Sequence, residues 1–449
     1  MAGSDPSVTA ARRCASLVVA GLWLAAATPV AALLGDVEGS GGLDANLRTT
    51  VLGIDNYHAP ALLGDHDFDM ASQTLLRAVI AGRPSDSLRY EVHAVQSLEQ
   101  STATGGAAAG LASPVGPSSS NRELRYRALD FTWAQDDRGQ WRSGLVLDRA
   151  NATLRLGAFD VTAGRQAITF GHTFFWSPLD VFSPFDAQQF DRDYKPGVDA
   201  LRVDGDLGAL SGVTLVASAG RSIDAAGQAA HGGFADASWT GSALLARAFT
   251  NVAGWDLEIQ AGKVYAGWQV GLGATGEWLG VDLRVEMAAL RADSSPPLVI
   301  DLPAPMPDLV RDAETLVVGA GRRFDNSLDL HAEYFLNGSG DADDLATSLA
   351  RVSGGALLAA SRHLIGVTAA YELLPILVAR LSWIVSLEDG SGQVQPGLTW
   401  SAADNVEVLL GAFVSHGQRP DTPDSGSVDF RSEFGSYPSV LYLQPKIYF

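Results

Sequence analysis

Residues 281–290 read Val-Asp-Leu-Arg-Val-Glu-Met-Ala-Ala-Leu, with Val281, Leu283, Val285, Met287 and Ala289 alternating with Asp282, Arg284 and Glu286. Successive side chains of an extended strand point to opposite faces, so this segment makes a ribbon with one greasy and one ionic side. The same period returns along the chain. Trp255, Leu257, Ile259 and Ala261 alternate with Asp256, Glu258 and Gln260. Leu328, Leu330, Ala332 and Tyr334 alternate with Asp329, His331 and Glu333, and Leu88, Tyr90, Val92 and Ala94 with Arg89, Glu91 and His93. A core strand of a soluble sandwich alternates too, but its wet face carries mostly Ser and Thr, whereas these faces are heavily ionic.

The connections between such segments alternate in length. Short ones stand at 83–87, 156–160, 205–212, 251–256, 276–280, 325–327, 373–375 and 402–405, and long ones at 55–67, 100–121, 172–196, 222–236, 292–312, 337–361 and 417–435. Tight turns at one end and long loops at the other are the plan of an outer-membrane barrel, with short periplasmic turns and long outward loops. The expected fold is therefore all-β, a closed antiparallel transmembrane β-barrel forming one domain over residues 33–449. A sheet in lipid must close on itself, because no water is there to satisfy a free edge. Nineteen candidate strands can be marked, but bacterial single-chain barrels have an even number. The miscounted boundary falls between Asn121 and Gly157, where the alternation breaks, so about eighteen strands are expected, with sixteen the second choice.

Composition excludes other classes. The chain has 31 Lys and Arg against 51 Asp and Glu, a formal charge of −20, which argues against a nucleic-acid partner. Its 47% apolar content excludes a disordered chain. The single cysteine, Cys14, excludes a disulfide scaffold and paired-cysteine metal sites, and no cofactor or metal is expected. Residues 1–32 carry Arg12 and Arg13 before an apolar stretch that ends in small residues, the pattern of a secretory signal peptide. A retained membrane anchor is the alternative, and the apolar run is short for it.

The last ten residues, Val-Leu-Tyr-Leu-Gln-Pro-Lys-Ile-Tyr-Phe, set Leu441, Leu443, Ile447 and Phe449 on one face and Tyr442, Gln444, Lys446 and Tyr448 on the other. This resembles the closing strand of Gram-negative outer-membrane barrels, which implies that Tyr448 and Phe449 belong to the signal read by the barrel-insertion machinery. A second stretch, residues 148–205, has Gly164, Arg165, Gln166, Phe170 and Gly171, then a loop with Trp176, Pro178, Asp180 and Pro184, then Gly197, Asp199, Ala200, Leu201 and Arg202. It resembles porin-like and alginate-export-like outer-membrane proteins over about 58 residues. The resemblance implies an outer-membrane channel, or porin, of a Gram-negative bacterium.

Read physically, the loop at 172–196 carries Phe174, Phe175, Trp176, Phe182 and Phe185, enough apolar surface to pack rather than wave in water. A packed loop can fold inward and narrow the pore. The constriction candidates are then Asp180, Asp186, Asp191, Arg192, Asp193 and Lys195, with Arg165 and Arg202 on the flanking strands pairing with these acids across the lumen. The alternative lays the aromatics against the outer rim. The pore-lining candidates are Arg89, Glu91, His93, Asp256, Glu258, Gln260, Asp282, Arg284, Glu286, Asp329, His331, Glu333, Arg380 and Ser382. Trp239, Trp268, Trp278, Tyr371, Trp400, Tyr442 and Tyr448 are candidates for interfacial girdles.

The long loops are acidic, with Asp65, Asp67, Asp69, Asp301, Asp308, Asp312, Asp341, Asp343, Asp344, Asp421, Asp424 and Asp429. An acidic mouth concentrates cations, so passive diffusion of small hydrophilic solutes or ions with a weak cation preference is expected. Partners would be outer-membrane lipid, lipopolysaccharide, the insertion machinery and small solutes, with a homotrimer the candidate assembly. A polysaccharide or lipid exporter is the second reading, although a polyanion would favour a basic path. A barrel hydrolase is the third. The eight histidines are dispersed, no GxSxG, HExxH or phosphate-loop motif follows residue 32, and no catalytic residue is assigned.

Overall fold

The computed structural model of the chain describes residues 41–56, 67–102, 125–137, 140–221, 237–293, 308–422 and 428–449. Residues 1–32, expected as a signal peptide, lie outside the described residues, as do Asp65, Asp301 and Asp424. The strands are β1 (Gly41–Asp55), β2 (Phe68–Ser85), β3 (Leu88–Ser101), β4 (Thr132–Asp137), β5 (Trp141–Leu156), β6 (Phe159–Gln166), β7 (Val198–Gly208), β8 (Ser211–Ser218) and β9 (Ala243–Val252). They continue as β10 (Trp255–Val264), β11 (Gly267–Trp278), β12 (Val281–Ala292), β13 (Ala313–Arg323), β14 (Asp329–Asn337), β15 (His363–Leu374), β16 (Leu377–Ser386), β17 (Gly392–Ala403), β18 (Val406–His416) and β19 (Ser439–Tyr448). Among the described residues an α-helix, α1 (Leu345–Ser353), sits in the loop between β14 and β15.

Every wall strand pairs antiparallel with its neighbours, and β1 pairs with β19, so the sheet closes. Closure explains the strand count. β3 pairs directly with β5, while the short β4 pairs only with residues 142–146 of β5, beyond the stretch of β5 that β6 covers. The wall therefore has eighteen strands, and the nineteenth candidate is a rim strand in the interval where the alternation broke.

All eight short connections join strands at one end. In two of them, Ala253-Gly254 and Leu279-Gly280, both residues have positive φ (53° and 83°, 53° and 73°), the twist that suits a two-residue hairpin. The opposite end holds the long connections, but two there are short, 265–266 and 387–391. The greasy faces point outward: Leu257, Ile259, Leu272, Met287, Leu381, Leu410, Leu441 and Leu443 are all exposed. Such a belt is stable only against lipid. Trp239 and Trp268 mark its long-loop side and Trp278, Tyr371 and Trp400 its short-turn side, all exposed as expected of girdles. Tyr442 is a correction, because it points inward and stacks on Phe190 with ring centroids 4.0 Å apart.

The buried apolar residues are not a barrel-filling core. Two groups sit where loops fold into the long-loop end, one around Tyr126, Ile168, Phe170 and Phe182 and another around Phe175, Trp176, Phe335, Leu349 and Phe434, and a third, Leu52, Leu409, Phe413, Val440 and Tyr442, lies on β1, β18 and β19.

Candidate functional site: the lumen and its inner loop

The connection between β6 and β7 is built from its two ends. β6 stops at Gln166 after Gly164, whose φ of 114° turns the strand in a way a side chain resists and whose absent Cβ leaves room for the Ala150 carbonyl. Arg165 follows and is almost completely buried. Its guanidinium donates to Asp199 (2.7 and 3.0 Å) and to the carbonyls of Leu147 and Leu129. Arg202 pairs with Asp204, two residues along its own strand, at 2.7 Å. Neither arginine reaches the acids of the loop. That expectation is corrected: each pairs with a carboxylate on or beside its own strand instead.

Beyond Gln166 the chain lies against the inner face of the wall. Glu286 of β12 accepts hydrogen bonds from the backbone N–H groups of His172, Thr173 (3.0 Å) and Leu179 (3.3 Å) and from the Ser177 hydroxyl (2.9 Å). Glu333 of β14 accepts from the N–H groups of Phe174 and Phe175. Gln260 of β10 donates to the Leu179 carbonyl at 3.0 Å and Gln269 of β11 to that of Pro178 at 3.1 Å. A loop without its own ladder must place its backbone donors somewhere, and here the wall's acids take them.

Glycines make the seats. A Cβ at Gly366 of β15 would come within 2.6 Å of the Phe175 ring, and one at Gly271 of β11 would collide with Leu179. Trp176, fully buried, stacks on Phe335 (5.3 Å), and Phe174 stacks on His331 (5.3 Å).

The segment then continues to the other side of the barrel. Asp180 and Lys195, both buried, pair at 2.5 Å and tie the two limbs of the loop together. Burial pushes the Asp180 carboxyl up to about 6 although Lys195 pulls the other way, and burial lowers the Lys195 ammonium. Arg192 donates to the carbonyls of Gln189, Phe174 and Asp186; burial, with Arg380 nearby, lowers it to about 10. Asp191 and Asp193 reach β19, at Lys446 (3.2 and 2.8 Å), and β1, at Arg48. Tyr194 lies beneath the guanidinium carbons of Arg48 and Arg77, 4.9 and 4.1 Å from its ring centroid. The loop thus leaves β6, touches β10, β11, β12, β14 and β15 and finishes on β19, β1 and β2. In a closed cylinder those contacts place it on the inner surface.

The remaining lining candidates sort by position. Arg89, Asp256, Asp282 and Asp329 stand one or two residues inside their strands at the short-turn rim. Asp160 binds Arg89 (3.2 Å) and Arg155 (2.9 Å), and Asp256 accepts from Asn251. Deeper in, Glu91 binds His93 and Arg149, Glu258 binds Arg247 at 2.6 Å, and His331 lies 3.0 Å from Asp329. His172 of the loop stands 3.7 Å from Glu258. Ser382 donates to Thr368. Arg284 and Arg380 form no ion pair among the described residues. Arg48, Arg77, Arg127, Asp148, Tyr194 and Lys446 were missed as site residues. For Arg48, Arg77 and Lys446 the signal was present as polar positions on β1, β2 and β19, but only strand register brings them together; Arg127 and Tyr194 lie in loops and Asp148 on β5, and the fold carries them there.

No protein-family model matches the chain, and no curated protein does either. Among solved structures it is similar to the outer membrane protein OpdK of Pseudomonas aeruginosa, with a TM-score of 0.52 at 11% identity over 92% of this chain and 100% of that one. It is also similar to OccK5 (OpdH) of Pseudomonas aeruginosa, TM-score 0.50 at 10% identity over 90% and 97%, and to OccAB4 of Acinetobacter baumannii, TM-score 0.50 at 10% identity over 92% and 99%. At such identities the likeness is one of fold. The chain has the architecture of a Gram-negative outer-membrane porin barrel: eighteen antiparallel strands closed on themselves, greasy outside and ionic within.

Proposed function

We propose that the protein is an outer-membrane channel through which small hydrophilic solutes or ions diffuse passively, and that the loop at 172–196 is its constriction. One observation carries this reading: a closed wall with an ionic inner face is crossed inside by a packed loop whose charged side chains are held in place. Paired charges such as Glu258–Arg247 keep water in a pore without making it a binding site for one sign of ion. At the long-loop end Asp308, Asp312, Asp343, Asp344, Asp421 and Asp429 are exposed and supply a negative mouth. Arg284 and Arg380 oppose it from inside, so the cation preference in this reading is weak. Its partners are lipid and lipopolysaccharide around the belt, the insertion machinery, and further copies of the chain in a homotrimer.

The test is planar-bilayer conductance of the refolded protein, with the reversal potential measured across a KCl gradient. Steady conductance from the protein alone supports a diffusion channel; a silent bilayer from a correctly folded barrel overturns it and favours an exporter that waits for a partner.

A further inference from the structure

The seam where the barrel closes contains an unfavourable pairing. β1 and β19 pair so that Arg48 stands directly opposite Lys446, both inward-facing, and Arg77 of β2 lies beside Arg48. Like charges directly opposite one another weaken a strand pair. This pairing also joins the two ends of the described chain, so it carries the largest loop-closure cost of any in the wall. On the wall itself, Lys446 has Glu407 of β18 at 3.5 Å, whereas among the described residues the carboxylates bonded to Arg48 come from the inner loop. Asp191 bridges the two cations, bonding Arg48 through one oxygen and Lys446 through the other, and Asp193 binds Lys446 at 2.8 Å and the Tyr448 hydroxyl at 3.1 Å. Tyr194 fills the space between Arg48 and Arg77 and accepts a hydrogen bond from Asn46 of β1 at 2.9 Å. Phe190 adds an apolar contact on Tyr442 of β19.

We propose that the loop tip, Phe190 to Tyr194, is an internal clasp that holds the β1–β19 seam closed and in register by neutralising the cations that face each other across it. The loop's inner placement and the wall's closure are then one event: the seam as built requires the tip to be docked.

The experiment is amide hydrogen exchange on the folded barrel in lipid, following peptides from β1 and β19 against peptides from the β9–β10 pair. In Asp191→Asn/Asp193→Asn the clasp loses its charge without losing its shape. Exchange at β1 and β19 is expected to accelerate on the order of tenfold while β9–β10 stays as it was. Adding Lys446→Met removes the cation that Asp191 offsets and should bring the seam back toward its original rate. Unchanged exchange, an acceleration spread over all strands, or a local acceleration that Lys446→Met leaves in place would each overturn the proposal. The outcome does not depend on conduction, so it stands or falls separately from the channel reading.

Discussion

Glu286 and Glu333 are the residues on which the placement of the inner loop turns. Each is nearly completely buried, and each spends its carboxylate on backbone N–H groups rather than on a cation. Glu286→Gln keeps one acceptor oxygen, while Glu286→Leu leaves three N–H groups and a hydroxyl unanswered and should cost on the order of 3 kcal/mol or more of loop docking. The expected readout is a noisier, larger single-channel conductance for the leucine variant and a near-normal one for the glutamine variant; identical traces would show that the loop is held elsewhere. Gly366→Val tests the seat rather than the bond. The added atoms meet the Phe175 ring, so the unfolding midpoint in urea should fall by an amount equivalent to about 1–3 kcal/mol, with β15 itself still formed. An unaltered midpoint would mean the ring can step aside.

At the scale of the element, the loop behaves as a strap with two kinds of fastening that answer pH with opposite sign. Asp191 faces Arg48, Lys446, Asp193, Tyr448 and, beyond Lys446, Glu407. Burial alone would push its carboxyl up, but Arg48 and Lys446 outweigh it and the net shift is down. A carboxyl held down when docked contributes stability above its free value of about 3.9 and loses it as the pH falls through the lower docked value. Asp180 is the reverse case. With its carboxyl pushed up to about 6, it holds a proton better when packed, so acidification through 6 does not by itself unseat the strap. Conductance recorded from pH 7 to 3 should therefore remain steady until about 4 and begin to flicker only below it. Asp191→Asn should flicker already at neutral pH. A transition near 6 in the unaltered protein would place the release at Asp180 instead.

For the molecule as a whole, the charges are arranged in layers. Among the described residues, exposed aspartates stand at the long-loop end of a lumen in which many charges are paired, while Arg284 and Arg380 form no ion pair. Replacing Asp343, Asp344 and Asp421 together by Asn should move the reversal potential in a KCl gradient toward zero at 0.1 M salt and less so at 1 M, because the Debye length falls from about 10 Å to about 3 Å. A reversal potential that ignores these residues would place selectivity at the loop. Much of this architecture is readable from local pattern: the period of two on β10, β12 and β14, the tight turns and the aromatic close all depend on neighbours in sequence. The partners of Arg165 and Tyr442 were not readable, because each contact is chosen by geometry. Arg165 has Asp199 on the next strand at bonding distance, and Tyr442 meets Phe190 only because the loop comes to it.

What the sequence determined by itself was the wall: alternation, short and long connections in turn and an even strand count require a closed barrel once one face is greasy, since an open edge cannot exist in lipid. The even count also put one surplus boundary between Asn121 and Gly157, the interval that holds β4. What only the tertiary structure decided was the interior. Which acid meets which base, that Glu286 and Glu333 serve backbone groups, and that the loop ends on Arg48 and Lys446 all depend on register between strands far apart in sequence. One residue of register moves every side chain of a strand to the other face, and no local pattern reports which long-range pairing minimises the unpaired charge inside.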